Sequence, residues 1–496
     1  MSGDLGKTVG HAGIYTIGVL MNRLVSFLML PVYTRYLSPA DYGVLELLEV
    51  TVDVVSIVAG LGILNGLSKF YYQCKSDGER KELISTLFIL IIAFYSTACA
   101  VGVLASPVIS RGILGMGIPS ELVAISFVNL FLQILFHLNT TYLRNRQKPV
   151  SFVVMNGLNL FIKLSLNVYF VVVLKMGVLG VLYSATISFT LLGAGMTAVT
   201  FRDVRFRFSR AYAKTMIHFG YPFILSGLCA FVNTYADRFF LNHYTNLASV
   251  GIYSLAYKFG FLLMMFPVQP MMNIWMVQRF ELVGKEGYEK TFNRFLEWFV
   301  IVTLTVALVI ALGVRDVLTV MSAPAFREAY KLVPILLLAY FFQACTDFFN
   351  FGIYQSGQTR HIAYGTLYAA VVTVAGSFLL IPRFGAQGAA WATLVAFAVR
   401  MGYYYAASQK LFRIDYRLLK PVGAMLLAVA TYLLYAFGNA LFPVLARRFV
   451  SPAVSLLMLG FFGFLLLQLN IIEGEERKKL LSFLRFPVKT FRELVA

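Results

Sequence analysis

The sequence is dominated by apolar runs of about twenty residues, the length at which an α-helix crosses the hydrocarbon core of a bilayer. FILIIAFYSTACAVGVLA (88–105) and FVIVTLTVALVIALGV (299–314) are two of them. Charged residues make up only 13% of the 496 positions, where a soluble chain carries about a quarter. The pattern predicts an all-α polytopic membrane protein with about fourteen transmembrane helices, at 9–33, 41–67, 83–106, 121–143, 150–174, 179–201, 215–242, 250–275, 295–314, 331–354, 363–380, 387–408, 421–442 and 452–470. The first of these contains Asn22 and Arg23 and runs on to Pro31, so it is expected to stay as a span and not to be removed as a signal peptide.

The net charge of +19 has a topological explanation. Most of the 42 Lys and Arg fall in alternate loops, including RNRQK (144–148), RDVRFRFSRAYAK (202–214) and KLFRIDYRLLK (410–420). Excess Lys and Arg mark the cytoplasmic side, which places both termini there. A nucleic-acid partner is therefore not expected. The tail 473–496 mixes bases with Leu and Phe and reads as an amphipathic segment on the inner leaflet.

An internal repeat appears at an offset of 208 residues, as from Gly43 to Gly251. YGVLEL at Tyr42 matches VGIYSL at Val250, and GVLGVLY at Gly177 matches GAQGAAW at Gly385. Six spans per half give both halves the same membrane orientation. Two six-helix bundles related by a pseudo-two-fold axis along the membrane normal are thus expected, with the substrate path at their interface. The expected domains are 1–205, 206–412, two additional helices in 413–472, and the tail 473–496.

Little in the chain suggests covalent catalysis, so it is not expected to be an enzyme, and no cofactor is implied. In Gly3-Asp4-Leu5-Gly6-Lys7-Thr8 two residues separate the glycines where a phosphate loop needs four. The five histidines lack metal-ligand spacing, although His137 and His218 could carry protons. Cys74, Cys99, Cys229 and Cys345 are scattered and read as small buried residues.

The informative residues are the ionisable ones inside spans, because a charge at membrane depth faces a partner or a wet cavity. Glu46, Glu49 and Asp53 recur at i, i+3 and i+7 and share one helix face. They are candidates for binding a coupling cation or proton, together with Asp237 and Asp347. Arg23 and Asp53 are equidistant from the turn at Ser38, which predicts an Arg23 pairing with this face; a purely structural ion pair is the alternative. Lys163, Lys258 and Arg400, with Arg23, would make a central cavity cationic and suited to phosphate or diphosphate; separate salt bridges, for instance with Asp347, are the alternative. Adjacent Asp237 and Arg238 are expected to point to different faces near the outer boundary. Lys69 and Glu297 lie close enough to span ends to snorkel. Pro222, Pro267, Pro270 and Pro334 suggest bends.

RYLSPADYG (35–43), VGIYSLAYKF (250–259) and IPRFGAQGAAWAT (381–393) resemble the polysaccharide biosynthesis exporters, the Wzx-type flippases of the MOP (MATE-like) superfamily. The resemblance covers most of the first twelve spans. It implies movement of an undecaprenyl-diphosphate-linked oligosaccharide to the outer leaflet of a prokaryotic cell membrane. It also implies two bundles in a V, alternating access, and coupling to a proton or sodium gradient. A polysaccharide polymerase or other assembly protein would be a partner. None of the lumen charges can be carried over by motif. A MATE-type antiporter and a lipid II flippase are the alternatives within the fold, and a polymerase or ligase of the same pathway is the alternative outside it.

Overall fold

The computed structural model describes residues 29–115, 117–442 and 450–468. Among these the regular structure is helical, with no strand. In the N-terminal part run α1 (Leu30–Tyr36), α2 (Pro39–Ala59), α3 (Ile63–Gln73), α4 (Asp77–Leu104), α5 (Ser120–Asn145) and α6 (Pro149–Asn167). They are followed by α7 (Gly177–Phe189), α8 (Gly195–Val204), α9 (Arg210–Gly220), α10 (Pro222–Tyr244), α11 (Leu247–Leu263) and α12 (Gln269–Leu282). The remainder forms α13 (Tyr288–Met321), α14 (Val333–Phe349), α15 (Arg360–Leu411), α16 (Leu419–Leu441) and α17 (Ser451–Gln468). Eleven helices among the described residues are long and apolar enough to cross a membrane, or twelve when α2 and α3 count as one bent span. The expected first span, 9–33, lies almost entirely outside the described residues, as does the tail 473–496.

The turn between α1 and α2 is written locally. Ser38 Oγ accepts the Asp41 N–H at 3.1 Å, and the Asp41 carboxylate accepts the Ser38 N–H at 3.0 Å. Pro39 opens the helix, where its missing N–H leaves nothing unsatisfied. At the other end α2 bends by 46° into α3. Leu61 and Gly62 have φ of 46° and 61° there, and a side chain on Gly62 would strike the Gly220 carbonyl. The bend is thus seated on the α9–α10 break.

α15 is formally 52 residues long, ~78 Å if straight, more than twice a bilayer core. Gly385, at φ 56° and ψ −132°, breaks it three residues after Pro382, where the sequence predicts a loop between two spans. The other prolines sit where helices begin or widen. Pro222, Pro270 and Pro334 lie in first turns, and Pro267 lies in a π-helical turn.

Packing divides the chain into two compact units. The first contains the described residues up to Leu255 with Met321–Glu328 and Thr366–Ala396; the second contains Ala256–Val320, Ala329–Gly365 and the described residues from Phe397 onward. These units follow packing density and do not coincide with the halves of the repeat.

In the first unit, amide side chains lace helices together. Asn129 donates to the Leu182 carbonyl at 3.1 Å and accepts from Thr186 at 2.7 Å, while Ser188 donates to Asn159 at 2.8 Å. At membrane depth there is no water to satisfy such groups, so partners on neighbouring helices must. The second unit is built on aromatic stacking. Trp275 lies parallel to Phe295 at 4.0 Å and to Phe348 at 5.7 Å. The same core takes in Ala424, Ala428 and Tyr435 of α16 and Phe462 and Leu466 of α17. One face of each C-terminal helix is therefore built into the second unit's core.

Candidate functional site

The three acids of α2 do share a face. Glu46 and Asp53 are half-buried and Glu49 is exposed. Among the described residues, Glu49 and Glu46 are the charges that act on Asp53. Two tyrosines of the first unit come near this face. Tyr235 of α10 lies within electrostatic reach of all three carboxyls, and Tyr95 of α4 within reach of Asp53. The Tyr95 hydroxyl is fixed by Ser56, with Oγ at 2.9 Å and the backbone carbonyl at 3.0 Å. The α2 face thus carries three carboxyls with two phenols within electrostatic reach. Arg23, the predicted partner of Asp53, lies outside the described residues.

Lys163 of α6 also belongs to the first unit. It is half-buried, its ammonium stands 5.5 Å from the Phe189 ring centre, and it is close enough to His137 of α5 to act on that ring electrostatically.

Asp237 and Arg238 correct the sequence expectation. Although adjacent, they form an ion pair at 2.7 Å, with side chains only 1% and 2% exposed. The arginine stem is long enough to fold back along α10, so the directions of the two Cβ atoms do not decide where the charges meet. Its guanidinium also donates to the Thr234 carbonyl and covers the rings of Tyr235 and Tyr253 at 5.1 and 5.3 Å. The Tyr253 hydroxyl donates to the second carboxylate oxygen of Asp237, and Thr393 of α15 approaches that oxygen at 3.4 Å. Both oxygens are engaged and the charge is matched. The pair is deeply buried and does not snorkel at a boundary.

In the second unit the polar residues gather near the ends of α12 and α14. Asp347 is hydrogen-bonded by Gln343 and feels Arg400 and Arg279. The alternative of a direct Asp347–Arg400 salt bridge is not realised, since that pair is absent from the contacts within 4 Å among the described residues. Arg400 instead stands 4.9 Å from the Phe397 ring. Lys258 of α11 is half-buried in the same unit. Lys163 and the pair Lys258 and Arg400 thus belong to different units.

Arg279 falls between the expected spans 250–275 and 295–314, so span depth does not mark it as a site residue. It is fully buried, donates to the Asn350 side chain at 2.9 Å, and is enclosed by Phe280, Phe351 and Tyr354. Met272, Trp275 and Arg279 follow i, i+3, i+7 spacing, so continuing the Trp275 face by one turn would have flagged it. No group of three or more His, Cys, Asp or Glu among the described residues could hold a metal ion.

The sequence profile of the family described as "Polysaccharide biosynthesis protein" matches residues 9–275, more than half of the chain. No curated protein matches. Among solved structures, a lipid II flippase MurJ in an inward closed conformation is similar over 92% of this chain and 99% of its own, with a TM-score of 0.69 and 12% identity. An inward-facing multidrug resistance MATE family transporter of the MOP superfamily is similar over 80% of this chain and 97% of its own, with a TM-score of 0.62 and 15% identity. At such identities the likeness speaks for the fold: an all-helical, MurJ- and MATE-like transporter architecture.

Proposed function

We propose that this chain, which belongs to the polysaccharide biosynthesis protein family, is a flippase that moves a polyprenyl-diphosphate-linked oligosaccharide across the cell membrane for surface polysaccharide biosynthesis. The observation that carries this reading is the family match over residues 9–275 in a chain whose fold is that of membrane flippases and transporters. Transport proceeds by alternating access, with both termini cytoplasmic and the substrate delivered to the outer leaflet. A polymerase or another assembly protein receives it there.

Within this reading the two kinds of charge have different tasks. Lys163, Lys258 and Arg400, with Arg23, engage the diphosphate, whose oxygens accept from ammonium and guanidinium donors. The acidic face of α2 couples movement to an ion gradient, with Asp347 as a second coupling carboxyl. Support for the first choice comes from the exposure of Glu49 and the half-burial of Glu46 and Asp53. Asp237, whose charge is matched within the protein, takes a structural part instead.

The test is deletion of the gene followed by lipid extraction. Accumulation of a polyprenyl-linked oligosaccharide on the cytoplasmic leaflet, reversed by the intact gene, is the expected result. Altered drug sensitivity without such accumulation would assign the chain to antiport instead.

A further inference from the structure

The segment between α8 and α9 reads R-F-R-F-S from Arg205 to Ser209 and presents an unusual surface. α8 ends sharply because Arg205 takes φ 58°, and α9 starts after Ser209 caps it. Between these points the backbone is held in place. The Arg207 N–H donates to Ser85 Oγ at 2.9 Å and the Ser209 N–H to Thr86 Oγ1 at 3.0 Å, both hydroxyls being buried on α4. Phe206 is stacked on Phe201 at 4.4 Å with the rings 7° from parallel, yet it remains 76% exposed. Phe208 is 50% exposed. Two rings are thus held largely outward by a structured backbone, at least half exposed among the described residues.

The charge around them is one-sided. Arg202, Arg205, Arg207, Arg210 and Lys214 are exposed, and none of them takes part in the ion pairs formed among the described residues. Asp203, the one acid between residues 202 and 214, is already engaged by Lys81 at 3.2 Å, Arg146 at 3.3 Å and the Tyr142 hydroxyl at 2.7 Å. The segment joins two stretches apolar enough to span a membrane, Gly177–Val204 and Arg210–Tyr244, so it lies at their common end, where lipid headgroups are.

We propose that this segment is a docking surface for anionic phospholipid: the arginines engage headgroup phosphates while Phe206 and Phe208 enter the headgroup–acyl boundary. Aromatic rings favour that boundary, and basic residues beside it are attracted by an anionic leaflet. The combination supplies the two signals that hold a segment to a membrane surface. Because α4, α8 and α9 all meet here, the contact fixes the depth of the first unit in the bilayer. The proposal needs only that the chain spans a membrane, so it stands or falls separately from the flippase reading.

The test uses the full-length F206W chain in vesicles in which either phosphatidylglycerol or phosphatidylcholine carries bromine, with the unmodified chain subtracted as background. Quenching several-fold stronger by brominated phosphatidylglycerol is expected, weakening in 1 M salt, where the screening length falls to about 3 Å. Adding R205Q, R207Q and R210Q should abolish most of that preference, bringing the two lipids to nearly equal quenching. These side chains are exposed, and an unchanged thermal transition of the variants checks that the fold is retained. Equal quenching by both lipids would overturn the anionic-headgroup assignment. Absence of quenching by either would overturn the membrane contact and leave the surface to a soluble protein partner.

Discussion

Gly43 and Gly251 lie back to back where α2 meets α11. A Cβ on Gly43 would run into the Leu247 carbonyl, and a Cβ on Gly251 into the Pro39 carbonyl. The contact is reciprocal in a further sense, since Gly43 and Gly251 are equivalent positions of the repeat, as are Pro39 and Leu247. Each half of the repeat therefore contributes the same helix start to one close crossing. The residues that carry the family resemblance on either side are the ones that allow the backbones to approach.

Replacement of either glycine by alanine is accordingly expected to destabilise the protein by about 1–3 kcal/mol, because the obstacle is backbone and cannot swing away. The change should be read as a lowered thermal transition in detergent. Gly460→Ala, at a helical position with nothing within 4 Å, serves as the neutral control. Equal behaviour of all three variants would show that the crossing is not tight.

For Asp237 and Arg238 the expected signature is non-additivity. Arg238→Met leaves a buried carboxylate without its cation and should cost about 3–5 kcal/mol, while the double variant Asp237→Leu, Arg238→Met should recover much of that loss. Thermal unfolding of the four forms checks this. If Asp237→Asn abolished ion coupling while leaving stability unchanged, the structural role assigned to it would be wrong.

The acids of α2 make a different prediction. Glu46→Gln, Glu49→Gln and Asp53→Asn preserve shape and remove charge, so they should leave protein abundance near normal while weakening the dependence of export on the ion gradient. Asp53→Asn is expected to act most strongly, because its carboxyl is the one beside both Glu49 and Tyr95. The measurement is surface polysaccharide with and without an ionophore. Unchanged gradient dependence in all three would move coupling elsewhere, with Asp347 next to be tested.

Single replacement of Lys163, Lys258 and Arg400 by Ala should reduce surface polysaccharide without lowering the amount of protein in the membrane. Normal export by all three variants would remove the cationic residues from substrate binding. Arg279→Lys is the informative companion, since it keeps the charge but loses the planar fork that meets Asn350 and three aromatic rings. It should lower stability.

What could be read from the sequence was whatever short-range chemistry fixes. Ser38, Pro39 and Asp41 announce a helix start, Pro382 and Gly385 announce the break within α15, and the spacing of Glu46, Glu49 and Asp53 announces a shared face. What could not be read depends on side-chain reach and on distant partners. The i, i+1 spacing of Asp237 and Arg238 suggested separation because it describes Cβ directions, whereas an arginine can fold back over its own helix. The burial of Arg279 depends on Asn350 and Phe351, some seventy positions away in the chain. The partition into packing units likewise follows contacts that a repeat in the sequence does not encode.

The most direct test of the central claim is a leaflet-reversal assay with the purified chain. It is reconstituted into vesicles carrying a labelled polyprenyl-diphosphate oligosaccharide, and the label accessible from outside is followed with time. The account predicts exchange between leaflets that accelerates under an imposed ion gradient and is slowed by Asp53→Asn. Exchange no faster than in protein-free vesicles, with or without the gradient, would contradict it.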